Sequence, residues 1–208
     1  MPTVTLRALD LSKITFAPES ITTPSGLKVV DLLLSGDNFL LQLNDERFKE
    51  DLYRCPYGLD TESELYPSPN TRTLRLRLPD DAHIKLRMMD DLITQQYAAN
   101  HKKWNVPSNL EYTPLVKMFD ARPMVKVKID LNKAIIKRFN QELTAATEGS
   151  IEDINRNADC LLCVRTSGVW FNATRYGVTL KAMLIYVKPG QAFGFHNLVL
   201  AYPLHEGI

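Results

Sequence analysis

Two segments of alternating apolar and charged residues constrain the fold more than any other feature of this sequence. Within 71–78, the leucines at 74, 76 and 78 alternate with a threonine and two arginines, and within 124–131 aliphatic residues alternate with two lysines and an aspartate. Consecutive side chains of a strand point to opposite faces of a sheet. Both segments are therefore predicted to be strands with one buried face and one basic outer face, which carries Arg75, Arg77, Lys126 and Lys128.

Other segments add strands around these two. A third long strand is predicted at 178–188, with Lys181 on it, and it ends at a Pro-Gly turn. Shorter strands are predicted at 27–34, 38–43, 158–165 and 169–173. The sequence Ser-Gly-Asp at 35–37 makes a hairpin of the first two, and Gly168 separates the last two.

Helical periodicity is clear in one place only. Apolar residues recur at Leu86, Met89, either Leu92 or Ile93, and Tyr97, which fits one face of a helix. Asp80 and Asp81 are expected to begin this helix, where carboxylates satisfy free N–H groups. Asp90 and Asp91 are then expected on its solvent-exposed face. A second pattern, at 135–143, favours a helix slightly, with a strand as the alternative.

These elements predict a mainly β fold, an OB-fold-like β-barrel with one or two inserted helices. With 208 residues, no repeats and scattered prolines, the chain is expected to form a single domain over 1–208, with N-terminal and C-terminal extensions. The order of elements does not alternate strand and helix. A doubly wound dinucleotide-binding fold is therefore not expected.

Signatures of catalysis are missing from the sequence. It contains no phosphate-binding loop, no G-x-G-x-x-G, no H-E-x-x-H and no nucleophile elbow. Cys160 and Cys163 have the spacing of half a zinc site, but no second pair completes it, so buried reduced thiols are expected. We predict a protein that is not an enzyme and uses no metal or cofactor. Without an apolar run of membrane-spanning length or a signal peptide, it is expected inside the cell and away from membranes.

The near-neutral net charge of +1 conceals an uneven distribution. Residues 72–138 contain 14 basic and 7 acidic residues, a net of +7, and the remainder of the chain has a net of −6. Aromatic residues lie within and around the basic segment. A cationic surface with aromatic faces is what single-stranded nucleic-acid binding requires, because phosphates contact the cations and bases stack on the rings.

Ordinary structural roles compete with this interpretation. Lysine and arginine are common on the wet face of any strand, and tryptophan and phenylalanine are common in cores. Trp170 and Phe171 must point to opposite faces if they lie on one strand. At most one of them is therefore available for stacking, and we predict Phe171 for that role while leaving open whether Trp170 belongs to the core.

Several short motifs, taken in order, resemble a known family. They are the RCPYGL turn at 54–59, the basic strand, the helix followed by Lys103 and Trp104, the PMVKVK strand at 123–128, GVWF at 168–171 and the Tyr176-Gly177 pair. This order is similar to that of the single-stranded DNA-binding proteins of nucleocytoplasmic large DNA viruses, which include an African swine fever virus member. The resemblance implies an OB-fold-like barrel that coats single-stranded DNA without catalysis. The resemblance also implies an acidic C-terminal tail that contacts partners, but residues 204–208 contain one acidic residue, so such a contact is not expected here.

The function predicted from the sequence is therefore sequence-independent binding of single-stranded DNA in viral DNA replication, recombination or repair. Single-stranded RNA is the alternative ligand, and a homo-oligomer on DNA is expected. If the protein is viral, it is expected in the host nucleus or a cytoplasmic viral factory. The alternative function is a viral structural or assembly β-barrel that contacts other subunits or packaged genome. The predicted binding residues are Arg54, Tyr57, Arg75, Arg77, Lys102, Lys103, Trp104, Lys126, Lys128, Phe171, Arg175, Tyr176 and Lys181.

Overall fold

A computed structural model describes residues 1–44, 52–60, 70–140 and 142–190. These ranges contain one α-helix, α1 (Asp80–Asn100), and two short 3₁₀ helices, Leu11–Lys13 and Ile151–Asp153. The predicted C-terminal extension lies mostly outside the described residues. The strands are β1 (Thr3–Thr5), β2 (Ile14–Phe16), β3 (Ile21–Thr22), β4 (Lys28–Val30), β5 (Leu32–Leu34), β6 (Leu40–Gln42), β7 (Tyr53–Cys55), β8 (Leu59–Asp60), β9 (Thr71–Arg77), β10 (Glu111–Thr113), β11 (Val116–Phe119), β12 (Arg122–Asp130), β13 (Ile135–Phe139), β14 (Ala146–Glu148), β15 (Ala158–Phe171) and β16 (Arg175–Lys188).

The two longest strands, β15 and β16, form an antiparallel pair at the centre of the main sheet. Strand β12 joins β16 in parallel, β9 pairs antiparallel with β12, and β8 pairs with β9. Strand β7, three residues before β8, pairs back onto the start of β15. The main sheet therefore curls round on itself, and the predicted mainly β architecture is confirmed.

The predicted alternation decides which side chains fill the core. Leu74 and Leu76 of β9 are completely buried, and so are Val125 and Val127 of β12. The charged residues between them face the other side of the sheet, as a two-residue period requires. Burial of these aliphatic side chains, at roughly 25 cal/mol per Å² of apolar surface, is the main contribution that holds the sheet together.

Helix α1 packs one face onto this core. It begins directly after Pro79, and Asp81 accepts hydrogen bonds from the Ala82 N–H, at 2.9 Å, and from Arg7. The expected start at Asp80 and Asp81 is thus confirmed. The face towards the core contains Ala82, Leu86, Met89, Ile93 and Tyr97, together with one acidic residue described below. No helix among the described residues has the length and apolar character needed to cross a membrane.

Two local predictions are wrong, and a third is confirmed only in part. The second helix is instead strand β13, because Ile135 and the residues after it pair with the far end of β16, and β-branched isoleucines suit such a position. The hairpin predicted around 35–37 forms only as a tight turn, in which Leu34 and Asp37 exchange backbone hydrogen bonds of 2.8 and 3.1 Å. Beyond the turn the two strands separate, because β5 pairs with β2 whereas β6 pairs with β1 and β15. The segments on either side of Gly168 are one strand, β15, with a bulge where Gly168 has φ +75°.

Candidate nucleic-acid interface

The outer face of β9, β12, β16 and β15 forms the floor of an open groove. The β3–β4 segment makes one wall, and the segment from Thr113 to Phe119, which contains β11, makes the other. The cavity has a volume of about 730 Å³. We call it the basic groove. Its lining residues are Ile21, Thr23, Ser25, Leu27, Val29, Asp31, Arg75, Thr113, Pro114, Leu115, Lys117, Phe119, Met124, Val125, Lys126, Lys128, Ser167, Trp170, Val178, Thr179 and Lys181.

Four of the predicted binding residues meet in the basic groove. Lys126 lies directly opposite Arg75, and Lys128 lies directly opposite Lys181. Residues in register on adjacent strands are about 5 Å apart, and like charges at that distance repel each other. The two pairs therefore create a positive potential at the floor of the groove. Four cations close together on one face of a sheet form a surface of the kind that a polyanion can bind.

A fifth cation of the groove, Lys117, is not among the binding residues predicted from the sequence. It lies on β11, opposite Met124 of β12, and faces the groove. The segment 116–119 is too short to show a clear alternation, so its direction could not be read from the sequence. Among the lining residues that the structure describes, Asp31 is the one acidic residue, against five cations. These described lining residues therefore have a net formal charge of +4.

Phe119 is a second lining residue that the sequence analysis missed. It is 36% exposed, and the Arg75 guanidinium lies 5.2 Å from the centre of its ring. The turn after it, Asp120 and Ala121, has φ values of +49° and +59°, which is the left-handed geometry of a tight hairpin. Because this turn contains no glycine, its hairpin geometry was hard to foresee. The turn places an aromatic face beside the cations.

Trp170 also lines the groove, which answers the question left open by the sequence. It is half-buried and lies opposite Gly177 of β16. A Cβ atom on Gly177 would come 3.1 Å from Cζ2 of Trp170 and 2.8 Å from the Thr113 carbonyl oxygen. Glycine at 177 thus leaves room for the indole. Among the described residues, no acceptor is found for the buried indole N–H of Trp170.

Three aromatic residues among the predicted binding residues belong to the core instead. Trp104, Phe171 and Tyr176 are only 2%, 3% and 3% exposed. The Tyr176 ring lies 4.0 Å from that of Tyr97 on α1, and Trp104 packs 6.0 Å from Phe171. Burial raises the pKa of Tyr176 to about 12. These rings join α1 and the segment after it to β15 and β16, so they are not available to bases.

The remaining predicted residues lie outside the groove lining. Arg54 is bonded to the Asp159 carboxylate at 2.9 and 3.1 Å, and Arg175 is bonded to Glu111 at 3.0 Å. Both guanidinium groups therefore have carboxylate partners within the chain. Arg77 is exposed at the end of β9, and Lys102 and Lys103 are exposed in the turn after α1. Lys102 and Lys103 are not among the described lining residues. Arg77 adjoins the groove, because it is in register with the lining residue Met124 and lies two residues from Arg75 on the same face of β9.

Tyr57 is exposed, as a binding residue would be, but its hydroxyl has a partner. It donates a hydrogen bond to Asp120 at 3.2 Å, in the turn between β11 and β12. This contact connects the 56–58 turn to the hairpin that carries Phe119. Tyr57 therefore lies beside one end of the groove wall rather than in the groove.

A buried carboxylate on α1 fixes the position of the groove wall. Asp90 was predicted on the wet face of the helix, but it is 8% exposed, whereas Asp91 is exposed as expected. Asp90 accepts hydrogen bonds from the Tyr112 hydroxyl at 2.5 Å, the Leu115 N–H at 2.9 Å and the Val116 N–H at 3.4 Å. Burial raises the pKa of the Asp90 carboxyl. Because Leu115 lines the groove, Asp90 ties that wall to the helix.

The described residues offer no metal centre. Among them, no group of three or more histidine, cysteine, aspartate or glutamate side chains could hold an ion. The thiols of Cys160 and Cys163 are free, and burial raises the pKa of both. Cys160 is completely buried, as predicted, whereas Cys163 is only partly buried. These thiols are therefore poor candidates for metal ligation, which needs the thiolate form.

Comparison with known proteins gives matches only among solved structures, since no family model and no curated protein sequence matches. The single-stranded DNA-binding protein of bacteriophage Enc34, in complex with single-stranded DNA, superposes with a TM-score of 0.44 at 15% identity, covering 88% of this chain and 99% of that one. Its C-terminal truncation gives 0.44 at 14%, covering 87% and 98%. The single-stranded DNA-binding protein gp2.5 of bacteriophage T7 gives 0.44 at 14%, covering 69% and 85%. The resemblance to a family of eukaryotic viruses stays a prediction.

Proposed function

We propose that this protein binds single-stranded DNA in the basic groove, without catalysis and largely independently of sequence. One observation carries the proposal: the groove combines five cations with two accessible aromatic side chains, Trp170 and Phe119. Phosphates would lie against the cations, and unpaired bases would stack on the two rings. Each stacked base contributes roughly 1–3 kcal/mol.

The position of the aromatic residues favours a single strand over a duplex. In a duplex the faces of the bases are covered by their neighbours, so a ring in a groove has nothing to stack on. Readers of duplex DNA commonly insert a helix into the major groove. Helix α1 does not suit that role, because Asp80, Asp81 and Asp91 are exposed on it and would repel phosphates.

The same arrangement explains why little sequence specificity is expected. Every base has a face that can stack, and phosphates are identical along the strand. Hydrogen bonds to base edges, which carry sequence information, would have to come from the few polar groups of the lining, such as Asp31 and Thr113. We propose that these contribute less to affinity than the cations and the two rings.

A protein of this kind would coat single strands exposed during DNA replication, recombination or repair. We propose that it acts inside the cell, in the host nucleus or a cytoplasmic viral factory if it is viral, and that several copies assemble on one strand. Single-stranded RNA offers the same phosphates and bases. The affinities for single-stranded DNA and single-stranded RNA therefore have to be compared in the same experiment.

Fluorescence anisotropy with labelled single-stranded DNA, single-stranded RNA and duplex DNA, each over a salt series, tests the proposal. If all five groove cations contact phosphates, log K should fall with log salt with a slope of up to about −3.5, at roughly −0.7 per contact. Binding that prefers duplex, or affinity that does not fall as salt rises, would refute it. If RNA binds more tightly than DNA, the basic groove remains the proposed binding site, but its ligand is single-stranded RNA.

A further inference from the structure

The cations of the groove floor continue in a straight row across the sheet, beyond the groove. Lys128 of β12 is in register with Lys181 of β16, and Lys181 is in register with Arg165 of β15. Residues in register on adjacent strands point to the same face. Arg165 is exposed and does not line the groove. It therefore extends the outer, basic face by one strand.

The spacing of this row suits a nucleic-acid backbone. Strands lie about 4.8 Å apart, so the row from Lys128 to Arg165 spans about 10 Å across the sheet. Phosphates on one strand of B-form DNA are about 3.4 Å apart along the axis, and further apart on a stretched strand. The row can therefore follow two or three consecutive phosphates that run perpendicular to the strands.

Among the residues that the structure describes, the surroundings of the row contain little that opposes an anion. On the far side of Arg165, the residues in register are Leu40 of β6 and then Thr3 of β1, both uncharged. The nearest acidic residue along β12 is Asp130, two residues from Lys128. Its carboxylate accepts a hydrogen bond from the Asn132 N–H at 3.1 Å and lies 3.4 Å from the Lys133 ammonium. The negative charge beside the row is thus partly neutralised.

We propose that Arg165 binds a phosphate of single-stranded DNA outside the basic groove, so that the strand leaves the groove across β16 and β15 towards β6. This inference rests on the proposed function, and it specifies the direction in which the DNA backbone crosses the sheet. The backbone crosses the sheet along the row Lys128, Lys181 and Arg165 instead of running parallel to the strands.

The experiment compares Arg165→Gln with the wild type and with two matched variants. Arg165→Lys keeps the charge, and Arg87→Gln removes one exposed arginine from α1, on the opposite side of β11 from the groove. Binding is measured by anisotropy over a salt series with an oligothymidylate of roughly 16 nucleotides, the upper site size of one OB fold. Circular dichroism checks that each variant is folded.

The proposal predicts a specific pattern. Arg165→Gln should reduce the salt slope by about 0.7 and weaken binding about fivefold at 0.1 M salt, which is the effect of one phosphate contact. Arg165→Lys and Arg87→Gln should retain the wild-type slope. If the salt slope is unchanged in Arg165→Gln, or is reduced equally in Arg87→Gln, the proposed role of Arg165 is wrong. Neither result contradicts DNA binding in the basic groove. A wild type that does not bind the oligonucleotide overturns the proposed function as well.

Discussion

Replacement of Trp170 by alanine is the sharpest test of the basic groove, because Trp170 is its largest aromatic side chain. If one base stacks on the indole, Trp170→Ala removes roughly 1–3 kcal/mol of binding free energy. At 1.4 kcal/mol per factor of ten, this weakens binding of single-stranded DNA about 5- to 140-fold. Trp170→Phe retains a ring over Gly177 and should retain most of the affinity.

Intrinsic fluorescence can locate the stacked base, because the chain has only two tryptophans and the structure separates their environments. Trp104 is 2% exposed and donates its indole N–H to the Ala17 carbonyl at 3.2 Å, whereas Trp170 lines the groove. In Trp104→Phe, the remaining emission comes from Trp170 and should be quenched by single-stranded DNA. In Trp170→Phe, the emission comes from Trp104 and should not change.

Stability must be separated from binding in this experiment. Loss of a fully buried tryptophan costs about 3–5 kcal/mol, so loss of the half-buried Trp170 should cost less and leave the protein folded. Thermal denaturation checks this point. A folded Trp170→Ala variant with wild-type affinity, or DNA that quenches Trp104 and leaves Trp170 unchanged, would refute the placement of the interface.

Three further predictions concern the groove cations and the carboxylate that holds the groove wall. Lys126→Gln with Lys128→Gln should reduce the salt slope by about 1.4 and weaken binding about 25-fold at 0.1 M salt, whereas Lys102→Gln with Lys103→Gln should retain the wild-type slope in the same titration. Asp90→Ala should lower the free energy of unfolding in urea by about 1–3 kcal/mol for each donor left without an acceptor, among Tyr112, Leu115 and Val116, and should also weaken DNA binding. Since burial raises the Asp90 pKa, the native state holds its proton more tightly than the unfolded state, so this carboxyl contributes stability at acidic pH that is lost as pH rises through its folded pKa. In urea titrations between pH 4 and 7, wild type should therefore gain stability relative to Asp90→Asn as pH falls. If the difference between their free energies of unfolding does not change with pH, the Asp90 pKa is not raised.

The strands of the barrel were predictable because, in a segment with a two-residue period, the apolar residues determine which side of the sheet every other side chain faces. Once Leu74 and Leu76 face the core, Arg75 must face outwards, and the same reasoning fixes Lys126 between Val125 and Val127. The alternation does not say which strands become neighbours. Strand β13 was missed for this reason, since its place beside the end of β16 is a property of the whole sheet.

Aromatic residues were harder to place than cations. Alternation required Trp170 and Phe171 to face opposite sides, but it did not show which side was the core. Phe171 is buried because α1 covers that face of β15 with Tyr97 and with Trp104 just beyond its end. The position of a helix on a sheet is a tertiary contact, so no local pattern in 169–171 could reveal it.

The buried position of Asp90 is a second feature that the sequence pattern could not predict. A carboxylate in the middle of an amphipathic helix normally faces water, and its neighbour Asp91 does so. Asp90 is buried because three donors from the 112–116 segment surround it, and a buried charge is tolerated only when it is hydrogen-bonded. Two of those donors are backbone N–H groups, which leave no trace in the sequence.

The uneven distribution of charge along the chain indicated part of the candidate interface but could not identify all of its cations. Arg75, Lys117, Lys126 and Lys128 all belong to the basic segment 72–138, whereas Lys181 and Arg165 come from the remainder, which has a net charge of −6. They join the others because β16 pairs with β12 and β15 pairs with β16. A sum of charges along the chain cannot detect such a row. It arises only when strand pairing places residues more than fifty positions apart, such as Lys128 and Lys181, about 5 Å from each other.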